Sequence, residues 1–236
     1  MALCFALNDM LTRKSAAKTA RIAGMLHWRD HYFENLRRIA LLARAVPEWS
    51  DYASFCEKYE QGLRREAFSR LEHFIGYLEK SPFLERRRFV SWLLVRVDSV
   101  ESKHMLVPYP LSNRIIQPTL CEWIVTEPEC AEPHLWLGDY DNLKQALVLK
   151  PDDDVILRKL VACILNRVDW ATHELPTGYI GEPSEDLVAL DEAEQLIERL
   201  TSEEEQADFG AALHEQRAMI HSYISSRDRL PPTSPG

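Results

Sequence analysis

Apolar side chains recur along this chain every three or four residues, the period of helices that bury one face. Between Trp28 and Val46 the stripe is Trp28, Tyr32, Leu36, Ile39, Ala40 and Ala43, with Arg29, Asp30, Glu34, Arg37 and Arg38 opposite. Pro47 stops that helix, because proline lacks the N–H and clashes with the preceding turn. Asp51 can cap the next one, which carries Phe55, Tyr59, Leu63, Ala67, Leu71, Phe74, Ile75 and Leu78 on one face. Gly62 and Gly76 fall inside it. A glycine costs a helix roughly 1 kcal/mol without ending it, so one long helix is expected here.

Ser81 as N-cap and Pro82 as first helical residue open another helix. Phe89, Val90, Trp92, Leu93, Leu94, Val95 and Val97 leave it almost no polar face, the mark of a central helix. Residues 104–118 hold three prolines and no period, which reads as an ordered connection. A helix from Pro118 to about Thr126 turns Leu120, Trp123 and Ile124 inward. Beyond it, Val155 to Val168 carries Ile156, Leu160, Cys163 and Ile164 on one face, and residues 169–186 form an aperiodic loop. Leu187, Leu190, Ala193, Ile197 and Leu200 mark a further helix. Thr201 and Glu204 form a capping box for the last, with Phe209, Leu213, Ile220, Tyr223 and Ile224.

The expected fold is all-α: an irregular bundle or short α-solenoid of about eight helices, with repeat-like hairpins in the C-terminal half. The expected organisation is an extension over 1–24, a helical part over 25–106, an acidic helical part over 107–228 and a tail over 229–236. Eight glycines in 236 residues leave few of the tight turns an all-β protein needs.

The segment "GDYDNLKQALVLKPDD" resembles the second half of a tetratricopeptide repeat, a 34-residue helix–turn–helix unit. Gly138, Tyr140, Ala146, Leu147 and Pro151 lie on that family's turn, packing and stop positions. The resemblance implies a degenerate helical hairpin over 136–160. It is short by about one helical turn, and no copy recurs at the repeat's 34-residue offset. The same stretch, with "VDWATHELPTGYIG", resembles segments of uncharacterised bacterial helical proteins, which imply no activity.

Charge adds a direction. The net charge is −9, but residues 1–115 carry 19 Lys/Arg against 13 Asp/Glu and residues 116–236 carry 9 against 24. An acidic half repels phosphate backbones, which makes nucleic acid an unfavoured partner, and it steers basic proteins. Five cysteines without a C-x-x-C pair suit a reducing, cytoplasmic setting, and no window approaches a membrane span.

Candidate chemistry is sparse. His27 and His31 stand four apart, with Glu34 nearby, but the Glu that follows the first His in H-E-x-x-H is missing. His173 and Glu174 sit in the long loop near Asp169 and Tyr179, where acid–base work would need a cleft. These pairs are the basis of an alternative reading as a hydrolase or metal-dependent enzyme. The arginines of "ERRRF", with Arg64, Arg65 and Arg70, are expected to lie along helices and pair with glutamates.

The favoured expectation is a non-enzymatic protein-binding module with no cofactor, metal site or catalytic residue. A bacterial immunity or antitoxin-type protein covering a basic toxin is its concrete form. Asp139, Asp141, Asp152, Asp153, Asp154, Glu185 and Asp186 would supply the field, with Trp136 and Tyr140 as anchors.

Overall fold

A computed structural model describes residues 30–98, 100 and 103–227, and among them there is no β-strand. The protein is all-α. It divides into two compact units, one ending at Trp136 and the other beginning at Leu137. The divide falls about thirty residues beyond the boundary between 106 and 107 that the sequence suggested.

In the first unit, Asp30–Arg44 (α1) is followed by a 3-10 turn over Pro47–Trp49 and then by Ser50–Glu60 (α2), Arg64–Leu78 (α3) and Phe83–Val97 (α4). The single helix expected over 51–78 is two, and Gly62 is the reason. Its φ is +76°, the left-handed conformation that only glycine takes cheaply. Gly62 N–H donates to Tyr59 O at 3.1 Å and Leu63 N–H to Lys58 O at 2.8 Å. That pair of bonds is a Schellman stop. The expected caps also shift. Asp51 lies within the first turn of α2 and pairs with Arg70 at 3.2 Å. The Ser81 hydroxyl donates to Tyr77 O at the end of α3 instead of capping α4.

The core of this unit is aromatic. Phe89 of α4 lies 4.7 Å from Phe74 and 5.1 Å from Tyr52, ring centre to ring centre, both edge-on as the ring quadrupoles favour. The buried Tyr52 hydroxyl donates to Leu106 O at 2.7 Å, so its polar end is satisfied. Burial pushes both the Tyr52 phenol and the neighbouring Cys56 thiol upward in pKa, leaving them uncharged packing groups.

The stretch over 104–118 is helical and not a connection. Lys103–Leu106 (α5) is followed by Tyr109–Leu111 (α6), a π turn over Ser112–Ile116 and Gln117–Thr126 (α7). Pro110 sits in the first turn of α6, where its missing N–H has no intrahelical partner to lose. Pro118 falls in the run of helix, and the wider π turn immediately before it accommodates the absent donor and the ring.

Ala131–Leu137 (α8) leads to the second unit, made of Tyr140–Leu149 (α9), Asp154–Thr172 (α10), Pro183–Ile197 (α11) and Glu203–Arg227 (α12). Helix α10 is central and packs on α9, α11 and α12. Its buried residues come in neighbouring pairs, Ile156–Leu157, Leu160–Val161 and Ile164–Leu165, a stripe wide enough to serve several neighbours. Because α10 continues to Thr172, the loop expected over 169–186 shrinks to residues 173–182. The N-cap of α12 is Ser202, whose hydroxyl accepts from Glu205 N–H at 3.3 Å, one residue later than the predicted box.

Candidate functional site

The acidic residues singled out in the sequence belong to the second unit, and local helix physics decides what each one does. Asp139 is the N-cap of α9, accepting from Asn142 N–H at 3.0 Å, with Gly138 before it at φ +70°. Asp153 caps α10 in the same way, accepting from Val155 and Ile156 N–H at 2.9 and 3.2 Å. Asp154 accepts from the hydroxyl and backbone N–H of Thr201, tying the start of α10 to the turn before α12. The carboxylates of Asp139 and Asp153 satisfy helix-terminal donors that otherwise need water.

Asp186 is buried at 6 % exposure in the first turn of α11, and its carboxylate is fully engaged. It accepts from Tyr179 OH at 2.7 Å and from the Arg167 guanidinium at 3.0 Å. Tyr140 donates to Glu192, which also holds Lys144 at 2.5 Å. The positive charge of Arg167 bears on Tyr140, Tyr179 and Glu192 alike. The result is one polar cluster joining α9, α10, α11 and the 173–182 loop. Burial, then the hydrogen bond to Glu192, pushes the Tyr140 phenol up to about 12. Burial and Asp186 push Tyr179 upward for the same reasons. Burial opposes the charge on Glu192, yet the hydrogen bonds from Lys144 and Tyr140 outweigh it and hold the carboxyl below its ordinary range.

Asp141, Asp152 and Glu185 are exposed and make no ion pair with any described residue. Several cations of the unit are turned to internal use. Lys144 pairs with Glu192, Arg158 with Glu205, Arg167 with Asp186, and Arg217 with Asp191 and Glu194; Arg199 donates to Pro151 O. Trp136, proposed as an anchor, belongs to the first unit.

His173 and Glu174 are exposed and are not brought into a pocket. His173 stacks on the Trp170 indole at 4.6 Å, with Nδ1 against Trp170 O at 2.5 Å and Nε2 against Glu174 at 3.0 Å. Both ring nitrogens are occupied, and the pair faces solvent. Tyr179, its expected companion, is committed to Asp186. His27 and the His31 side chain lie outside the described residues. Among the described residues no group of His, Cys, Asp or Glu is placed to hold a metal ion. No described helix is long and apolar enough to cross a membrane.

Sequence reasoning missed Arg167, Glu192 and Lys144, which tie the predicted Tyr140 and Asp186 into one network. Each is an ordinary polar position on its own helix, and only the packing of α9 and α11 on α10 brings them together. No family model matches the chain, and neither a curated protein nor a solved structure matches it.

Proposed function

We propose that the protein is a non-enzymatic binding module whose C-terminal unit receives a basic protein partner. The observation that carries this reading is the sorting of charge: Lys144, Arg158, Arg167 and Arg217 are held in internal ion pairs, while Asp141, Asp152 and Glu185 face solvent unpaired. Residues 137–236 hold 20 Asp/Glu against 9 Lys/Arg, so the unit carries a surplus of acid. Such a field accelerates encounter with a cationic surface and disfavours anionic ones. A basic toxin covered by this face is the concrete instance that the charge pattern motivates.

The tetratricopeptide-like hairpin over 136–160 belongs to the same reading. The left-handed Gly138, the buried Ala146 and the Pro151 that follows α9 all support it. In this reading Tyr140, partly exposed above the polar cluster, is an anchor at the edge of the acidic face.

Affinity isolation on the full chain tests the proposal. One stoichiometric basic partner should be retained at about 0.05 M salt and released by about 0.5 M, where the Debye length falls to a few ångström. The variant Asp141→Asn/Asp152→Asn/Glu185→Gln should lose it at low salt. Retention that ignores both salt and variant would refute the reading, as would recovery of no partner at low salt.

A further inference from the structure

The exposed face of α4 carries a feature of the opposite sign. Helix α4 contributes Leu84, Arg88, Trp92, Val95 and Arg96 to the wall of a groove of about 470 Å³ whose far side is Trp123 of α7. Arg87 and Ser91 complete the lining, which thus contains three arginines and no carboxylate. This helix was expected to be buried all round. Instead Phe89, Val90, Leu93, Leu94 and Val97 face the core, while Leu84 and Val95 are 68 % and 61 % exposed. With Trp92 they give the open side of α4 an apolar component beside its arginines.

The arginines are not equivalent. Arg87 is neutralised by Glu127, which also accepts from Trp123 Nε1 at 3.1 Å. Arg88 has its carboxylate, Glu85, only at 3.7 Å, and Arg96 donates to a neutral acceptor, Trp92 O, at 2.9 Å. Two weakly compensated guanidinium groups therefore stand eight positions apart, about 12 Å along the helix. Between them lie Trp92 and Val95.

We propose that this groove receives an amphipathic helix of a partner protein, with acidic side chains flanking its apolar stripe. A shallow, open groove with one side of α4 along it and Trp123 at its far edge suits a third helix, whose own apolar ridge lies over Trp92, Val95 and Trp123. Carboxylates two turns apart on that helix reach Arg88 and Arg96. A nucleic acid fits poorly, because the indole faces that would stack on bases already carry guanidinium groups. Arg87 lies 4.1 Å over Trp123 and Arg96 4.9 Å over Trp92. The proposal concerns the first unit and stands apart from the acidic face of the second.

The test displays a random peptide library of roughly helix-groove length on phage and selects it on the full chain. Enriched sequences should be amphipathic, with Asp or Glu beside a Leu, Ile or aromatic stripe. Their affinity should fall about tenfold or more in Arg88→Glu/Arg96→Glu, and exchanging the peptide's acids for Lys should restore it on that variant. Val95→Glu, which places a charge at an exposed position, should block binding with unchanged helical circular dichroism; it decides the matter alone if the double variant does not fold. A basic or patternless selection, or selected peptides that bind wild type and variants equally, would overturn the proposal. So would variant-sensitive binding seen only with phosphatidylserine vesicles or a single-stranded oligonucleotide. Self-association abolished by the same substitutions would give the groove to a second copy and overturn it too.

Discussion

Tyr140 and Glu192 share a hydrogen bond whose energy depends on the proton staying on the phenol. In the fold Tyr140 rises to about 12, against about 10 in an unfolded chain. Its contribution to stability is therefore full below about pH 10 and is lost as pH rises from there through the folded value. Glu192 has the opposite sign. Its folded pKa is depressed, so its contribution is present above the unfolded value of about 4.3 and is lost as pH falls through the folded one. Tyr140→Phe removes one partner from both equilibria. Urea midpoints measured from acid to alkaline pH should show both limbs shallower than in wild type, with Tyr179 and Tyr52 keeping part of the alkaline limb. Superimposable profiles would mean that the pair is not formed.

At the scale of the element, hydrophobic spacing made the helices legible, and what hid the rest was backbone chemistry. Leu36, Ile39, Ala40 and Ala43 are all buried as the stripe requires, as are Leu190, Ala193 and Ile197. The break at Gly62 escaped notice because the apolar stripe continues in phase on both sides of it, so period alone cannot see a left-handed residue. The helices over 103–116 escaped for a different reason. Three prolines and a π turn shift the side-chain register, and a 3.6-residue period no longer fits. The acidity of the second unit was legible as a charge bias, whereas the roles of Asp139, Asp153 and Asp186 depended on contacts that spacing does not encode. The glycine stop gives its own test. A Cβ at Gly62 would meet nothing within 4 Å, so Gly62→Ala isolates the cost of the left-handed backbone. Chemical denaturation should report a loss of about 1–2 kcal/mol, and Gly62→Asn should lose less, since Asn tolerates that conformation better. A gain in stability would mean that α2 and α3 run on as one helix.

At the scale of the whole molecule, charge is divided by unit. Residues 22–136 are close to neutral, with 15 Lys/Arg against 16 Asp/Glu, while the second unit carries the surplus of acid. A field concentrated on one unit acts mainly before contact, when partners are still separated by water, and exposed rim charges govern association more than dissociation. Asp141, Asp152 and Glu185 are such charges, being solvent-facing and unpaired. Tyr140 is partly buried over its cluster, and in the proposed reading it acts after contact. The two kinds of residue should therefore separate in kinetics with the basic partner recovered by affinity isolation. Neutralising the three acids should lower the association rate by about tenfold and flatten its salt dependence, leaving dissociation within about twofold. Tyr140→Phe retains the ring and should change neither rate much, whereas Tyr140→Ala should speed dissociation several-fold, because aromatic anchors act through the bound state. Stopped-flow traces in which the acids change only dissociation would place these carboxylates inside the contact and not around it.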